Sequence, residues 1–247
     1  MRDEPRVVAL VQARMTSSRL PGKVLADLDG EPMLARQLSR LAMAAALDDI
    51  VVATTDQSSD DPVCDLARRL GVSFFRGSEA DVLGRMSNAA RMHRAEIVVR
   101  ITADCPLIDP QVVDAVVAEL LSDPCCDYAS NVLDRSYPQG LDVEAVRAAT
   151  LFEVAEKAIS PMAREHVTWH IVREAPTEYS LRSVRAADDH SDLRWTVDTE
   201  VDLELIRRIY RELELSHQAR GYRQVLEHVL ADPDLQSLNQ HVIQRNL

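Results

Sequence analysis

Three cations, Arg14, Arg19 and Lys23, stand close together near the start of the chain, spaced by Ser17, Ser18, Pro21 and Gly22. Small and turn-forming residues let a backbone bend and approach a ligand closely. Guanidinium groups that bind through paired hydrogen bonds, together with a mobile ammonium, suit a polyphosphate. The spacing is neither the G-x-x-x-x-G-K-[ST] loop nor the dinucleotide-binding G-x-G-x-x-G. Two carboxylates could complement the cations: Asp104 follows an apolar run and Asp198 follows another. Magnesium takes one or two carboxylates together with phosphate oxygens and water, so such a pair fits a metal-bound nucleotide. Each group also has a plainer use. The cations would serve a solvated loop; Asp104 would cap a helix begun by Pro106, although Asp109 before Pro110 is the better cap; Asp198, beside Thr199 and Glu200, would cap the helix that follows.

The elements that must place these groups are legible as hydrophobic pattern. Arg6–Val11, Ile50–Ala53, Val72–Phe75 and Glu96–Ile101 are short, nearly continuous apolar runs, the pattern of strands buried on both faces of a parallel sheet. Between them lie helical periodicities from Pro32, from Pro62 to Leu70 with Gly71 as its stop, from about Ala80 to His93, and through Val112, Val116 and Leu120. Such alternation predicts an α/β domain with a mostly parallel sheet and right-handed crossovers, in which ligands bind beyond the carboxyl ends of the strands. The cation loop follows the first strand and therefore sits where a ligand is expected. After about Tyr128 the alternation loosens, and the Tyr137–Gly140 turn opens a stretch of mixed character, read as an elaboration of one domain spanning residues 1–247. Leu193–Val197 reads as a last core strand, with helices from about Glu200 and Tyr222 closing the chain.

Composition narrows the partners. The 247 residues are 46% hydrophobic and 28% charged, with a formal net charge of -12, ordinary for a globular chain and unsuited to general nucleic-acid binding. An anionic ligand must then be drawn by a local basic cluster and a metal, because the overall field repels it beyond a Debye length of roughly 8 to 10 Å. No run is long and apolar enough to span a membrane, and Met1–Pro5 lacks the apolar stretch of a signal peptide, so a cytoplasmic protein is expected. Cys64, Cys105, Cys125 and Cys126 form no C-x-x-C pair and read as reduced, mostly packed thiols.

The segment Val11–Lys23, reading VQARMTSSRLPGK, resembles the signature that opens the sugar-acid cytidylyltransferases, the group containing the CMP-Kdo and CMP-sialic acid synthetases. It is more similar still to the cytidylyltransferase-like family named for spore-coat polysaccharide biosynthesis. The likeness continues in order through Arg76–Leu83, Arg100–Asp109, Tyr137–Glu144, Arg164–Thr168 and Trp195–Thr199, nearly the whole chain. It implies a three-layer, Rossmann-like fold of the nucleotide-diphospho-sugar transferase type, with a mixed, mostly parallel sheet. It also implies transfer of CMP from CTP to an acidic sugar or other small anionic acceptor, with release of pyrophosphate.

On the same resemblance, Arg14, Lys23, Asp104 and Asp198 carry the chemistry, and Asp104 and Asp198 hold Mg2+. Nucleotide contacts fall on Gln12, Ala13, Arg14, Arg19, Lys23, Arg76, Gly77, Ser78 and Asp81, although Asp81 is equally suited to cap a helix. Acceptor contacts fall on Tyr137, Gln139, Asp142, Glu144, Arg164, Glu165 and His166; Arg164 has the alternative of a surface ion pair with Glu165 near Arg173. His166 and His170, four apart, would share a helix face, but Val167 stands where a zincin would place glutamate. A homodimer formed through about residues 137–187 is expected by the same resemblance. No general base is identifiable from the sequence.

Two other readings share the fold. A glycosyltransferase would consume a nucleotide sugar, and usually offers a D-x-D pair where Thr102-Ala103-Asp104 has one aspartate. A silent binding protein has no physical need for Arg14, Lys23, Asp104 and Asp198 together.

Overall fold

A computed structural model describes residues 4–242; Met1–Asp3, part of the segment read for a signal peptide, lie outside the described residues. The central strands are β1 (Val7–Gln12), β4 (Asp49–Thr55), β5 (Ser73–Gly77) and β6 (Ile97–Thr102), with β2 (Asp27–Leu28) and β3 (Glu31–Pro32) forming a separate two-residue ribbon. Pairing β5-β4-β1-β6 is parallel throughout, as buried apolar strands joined by helices require. The sheet then changes sense. β8 (Glu144–Arg147) runs antiparallel to β6, β7 (Tyr128–Ser130) antiparallel to β8, and β9 (Leu181–Ser183) parallel to β7, giving the seven-stranded order β5-β4-β1-β6-β8-β7-β9. The stretch after Tyr128 thus extends the central sheet itself, through strands of three or four residues that are too short to show a period.

Helices cover both faces, which makes three layers. Alternate residues of β1 belong to opposite cores: Val7, Ala9 and Val11 pack with α1 (Met33–Leu41), α2 (Asp61–Leu70) and α4 (Pro110–Leu121), as well as α7 (Glu200–Glu212) and α8 (Tyr222–Ala231). Val8 and Leu10 pack with α3 (Val82–Met92), α5 (Ala148–Lys157) and α6 (Pro161–His166). A last short helix, α9 (Pro233–Ser237), adds Leu235 to the first core. Helix boundaries follow capping chemistry. Gly71 ends α2 at φ 68, Asp81 caps α3 through the Gly84 N–H, and Asp109 caps α4 through the Gln111 and Val112 N–H groups. Among the described residues no helix is long and apolar enough to cross a membrane. All four cysteines are free, and Cys125 alone is exposed.

Two expectations are corrected. Leu193–Val197 is extended and buried but is not a strand of the sheet: it makes one isolated bridge, Arg194 with Gln139, closed by the Trp195 N–H on the Gln139 carbonyl at 2.6 Å, and its Val197 N–H bonds the Asp104 carbonyl at 2.8 Å. Alternating apolar side chains reported burial correctly and could not report the hydrogen-bond partner. His166 and His170 do not share one helix face. His166 ends α6, Val167 turns the chain at φ 50, and a separate π-helical turn, His170–Glu174, follows.

Candidate active site

The cation loop leaves the carboxyl end of β1 and folds back on itself, the Gly22 N–H meeting the Met15 carbonyl at 2.9 Å while Gly22 sits at φ 73. The loop is stapled from below by Asp60, 1% exposed, whose carboxylate accepts from the Met15 N–H at 2.7 Å and from the N–H and hydroxyl of Thr55. Lys23 begins the short 3-10 turn that follows, so its side chain is directed by a fixed backbone.

Lys23 is the centre of the site. Its ammonium donates to Asp198 Oδ1 at 2.8 Å, Asp104 Oδ2 at 3.2 Å and the Val197 carbonyl at 2.7 Å. Burial works against this charge, but Asp104 and Asp198 outweigh it and hold the Lys23 pKa above the ordinary lysine range. Asp198 is in turn held by three cations: Lys23 on one oxygen, Arg19 and Arg194 on the other, both at 2.8 Å. Burial would raise the Asp198 pKa; Lys23, Arg194 and Arg19 together depress it below the ordinary carboxylate value. Asp104 is steered from its own strand by the Thr102 hydroxyl at 2.6 Å, and from across the cleft its carbonyl accepts from Val197.

Capping does not explain either aspartate. Thr199, not Asp198, caps α7, in a capping box with Asp202 as its reciprocal partner, which leaves the Asp198 carboxylate for the cleft. Asp202 also fixes Arg194 from behind, at 3.0 Å to its Nε, so α7 orients Asp198 through Arg194.

These groups line a cleft of about 450 Å³ that contains Gln12, Arg14, Arg19, Lys23, Asp104 and Asp198. The same cleft is lined by Gln139, Asp142, Glu165 and His166. It continues into a second space, of about 850 Å³, through the shared residues Gln12, Arg14 and Glu165, where Ser78 and Arg164 form part of the wall. Arg14 sits at the junction, 3.5 Å from Glu79, which also takes the Thr16 hydroxyl at 2.8 Å.

The other predicted residues support these walls from behind. Ala13 is buried, its N–H on the Ala53 carbonyl. Arg76 is spent on the Thr55 and Gln57 carbonyls and on Asp61; Gly77 packs against the Arg85 side chain, whose Nη1 donates to the Ser78 carbonyl at 2.6 Å. Asp81 caps α3 and pairs with Arg164, and Arg164 also closes the end of α5 through the Ala155 carbonyl, so in place of the alternative surface ion pair with Glu165 it makes a clasp between helices. Tyr137 is buried against Tyr222 with ring centroids 5.3 Å apart. Glu144 is buried beneath the cleft floor, bonded to Arg100, to the Tyr128 hydroxyl at 2.7 Å and to Thr168.

Gln139 and Asp142 reach the cleft because Gly140, at φ 101, lets the turn lie on the 195–196 backbone; a Cβ there would come within 2.5 Å of the Thr196 nitrogen. Asp142 is gripped by Arg135 through two bonds, at 2.6 and 2.9 Å. Burial depresses the His166 pKa below the ordinary imidazole value, with Glu165 opposing and Arg100 reinforcing that shift, so the ring is neutral near pH 7.

Sequence reading missed Arg100, Arg194, Asp60 and Thr102. Arg100 and Arg194 each interrupt an apolar run, and a charge in such a place was a usable signal that something must neutralise it. Asp60, in a polar loop, carried none.

The donor set suits a divalent cation brought by a phosphate. Asp104 Oδ2 and Asp198 Oδ1 already converge on one positive centre, the Lys23 ammonium. Among the described residues no group of three His, Cys, Asp or Glu could hold a metal alone, so phosphate oxygens and water would have to complete the shell.

Comparison with known proteins gives the family of the chain. Residues 8–227 match the family model described as Cytidylyltransferase. The protein MJ1063 of Methanocaldococcus jannaschii is 32% identical over 243 residues, covering 98% of this chain and 97% of its own. The spore coat polysaccharide biosynthesis protein SpsF of Bacillus subtilis is 32% identical over 213 residues, 83% of this chain and 87% of its own. Among solved structures, a cytidylyltransferase from Leptospira borgpetersenii superposes with a TM-score of 0.89 at 28% identity, covering 98% of this chain and all of that one.

Proposed function

Because the chain belongs to the cytidylyltransferase family and is a CTP-dependent nucleotidyltransferase, we propose that it transfers CMP from CTP to a small anionic acceptor, with release of pyrophosphate. One observation carries this reading further than the family does: Arg14, Arg19 and Lys23 meet Asp104 and Asp198 in a single cleft at the carboxyl ends of β1 and β6. That is the charge pattern a metal-bound triphosphate requires. Arg14 and Arg19 bind the β- and γ-phosphate oxygens, exchanging Glu79 and Asp198 for the ligand. Lys23 moves from the carboxylates to the phosphates and stabilises charge gathering on the departing pyrophosphate.

Asp104 and Asp198, once released by Lys23, would hold Mg2+ together with phosphate oxygens, and bound there it would supply Lewis-acid polarisation of the α-phosphate. The acceptor oxygen attacks phosphorus from the side of Gln139, Asp142 and His166, and the bond to pyrophosphate breaks on the side of the cation loop. The chain's work is to position and to neutralise.

For the acceptor, an acidic sugar of cell-surface polysaccharide or glycoconjugate synthesis is the reading favoured by the similarity to SpsF and by the resemblance to sugar-acid synthetases. A homodimer through residues 137–187 and a cytoplasmic site of action belong to the same proposal, the former checked by sedimentation. The decisive assay measures pyrophosphate from each nucleoside triphosphate with Mg2+ and a panel of acidic acceptors. Release with CTP that depends on an acceptor is expected. Turnover of a nucleotide sugar, or silence with every triphosphate, would overturn the proposal.

A further inference from the structure

Arg100 lies on β6 two residues before Thr102 and four before Asp104, and its side chain lines the same cleft as Asp104 and Lys23. It is 13% exposed, in a layer of the protein where a guanidinium is costly unless its donors are used. The neighbouring arginines use theirs. Arg135 makes a two-bond fork to Asp142, and Arg194 spans Asp198 and Asp202. Arg100 differs: Nη1 bonds Glu144, Nη2 has only the Gln12 side-chain Oε1 at a long 3.3 Å, and Nε is buried with no partner.

The Glu144 oxygen that does not face Arg100 accepts from both the Tyr128 and Thr168 hydroxyls. The guanidinium is therefore fixed in direction by a carboxylate that two hydroxyls hold in place, while it retains donor capacity beside the cleft. Gln139, in the same lining, presents the complementary deficit: its Oε1 is buried and has no donor. One unsatisfied donor and one unsatisfied acceptor on a shared cleft match a ligand that carries both an oxyanion and a hydroxyl.

We propose that Arg100 anchors the anionic group of the acceptor, that Glu144 is its positioning residue, and that a hydroxyl of the same acceptor donates to Gln139. This rests on the nucleotidyl-transfer reading above and adds to it the chemistry of the acceptor subsite. It also reassigns Glu144 from direct acceptor contact to orientation of the group that makes the contact.

The test needs no knowledge of the natural acceptor. In the full chain carrying 15N-labelled arginine, the Arg100 Nε–H resonance is assigned by its disappearance in R100K and followed by NMR with CMP present. Gluconate is the polyhydroxy acid probe and sorbitol its neutral counterpart. Gluconate is expected to move the Arg100 resonance saturably and sorbitol to leave it in place. In E144Q the gluconate midpoint is expected to rise about tenfold, with the CTP midpoint unchanged, as loss of orientation at a charge-assisted bond requires.

A resonance that stays still up to about 100 mM gluconate, the millimolar-to-molar range in which even a weak specific contact registers, would overturn the proposal. So would equal displacement by sorbitol. The Arg14 and Arg19 resonances, titrated with CTP in the same sample, report separately on the nucleotide site: if they respond while Arg100 does not, only this inference falls; if they do not respond, the transfer reading falls with it.

Discussion

At the loop end of the cleft, Arg14, Arg19 and Lys23 rest on carboxylates that a ligand can replace, and Arg14 and Glu79 keep side-chain exposures of 42% and 37%. At the sheet end, Arg100 and Glu144 are 13% and 11% exposed and are held from β6, β8, β7 and the turn after α6. Both ends pair opposite charges, but their surroundings give the pairs different work. The exposed Arg14–Glu79 pair is screened and contributes little to stability, so it exchanges readily for phosphate. Lys23 and Asp198, 11% and 14% exposed, are as buried as Arg100 and Glu144 and separate only against a replacement charge. Buried pairs cannot be separated without leaving a charge in a poor solvent, so they fix geometry. On the proposed reading, the cleft thus joins a phosphate end with an exchangeable outer pair to an acceptor end held rigidly by a buried one.

The largest expected effect falls where the two ends meet. Asp104→Asn should lower kcat/KM for CTP by about a thousandfold or more, because a metal ligand is lost from the transition state. Its melting temperature should stay within a few degrees of wild type; activity within tenfold of wild type would break the assignment of Asp104 to the loop end. Next, Glu144→Ala strands the Arg100 charge and should destabilise the fold by about 3–5 kcal/mol in urea unfolding. A loss below about 1 kcal/mol, the size found for surface pairs, would erase the contrast between the ends.

Arg14→Ala should raise the KM for CTP about tenfold, an effect that shrinks as salt is added. An unchanged KM would remove Arg14 from the phosphate end. Acid sharpens the contrast in another way. The pKa values of Glu144 and Asp198 are depressed below their ordinary values of 4.5 and 3.8, Glu144 because Arg100 and its hydroxyl donors outweigh the penalty of burial, Asp198 because its three cations do the same. The folded state therefore binds fewer protons than the unfolded chain. The stability these groups contribute is complete above those ordinary values and is lost as the pH falls through the folded ones. Acid unfolding followed by circular dichroism should be less steep in E144Q than in wild type; an equal slope would deny Glu144 its part. The smallest effect is expected for Glu79→Gln, which frees Arg14 from an internal competitor and should tighten CTP binding by a factor of about two to five, the value of one exposed ion pair. Weaker binding would make Glu79 a contributor to the site instead of its competitor.

Much of the scaffold could be read from the chain because buried parallel strands and amphipathic helices leave local patterns. β1, β4, β5 and β6, the Gly71 stop and the Asp109 cap were all legible as short-range features. β7, β8 and β9 were not, since three or four residues cannot display a period, and pairing partners lie far away in sequence. The site divided in the same manner. Arg14, Arg19 and Lys23 were legible by type and by their place in the loop after β1, Asp104 by its place beyond β6, and Asp198 by type and by the apolar run before it, although that run is not a strand; the structure gathers all five in one cleft. Arg76, Asp81 and Arg164 looked the same by type, yet the fold spends them on carbonyls, a helix cap and an interhelical clasp.

By itself the sequence determined which charges are available, the order of the main strands along the chain and the loop that carries three cations, because helix and strand periods and turn residues act over a few positions. Only the tertiary structure decided which of those charges face a shared cleft and which are consumed beneath it. An ion pair between residues such as Lys23 and Asp198, or Arg100 and Glu144, is set by distance through space and by the dielectric around it, and neither quantity is written in the spacing of residues along the chain.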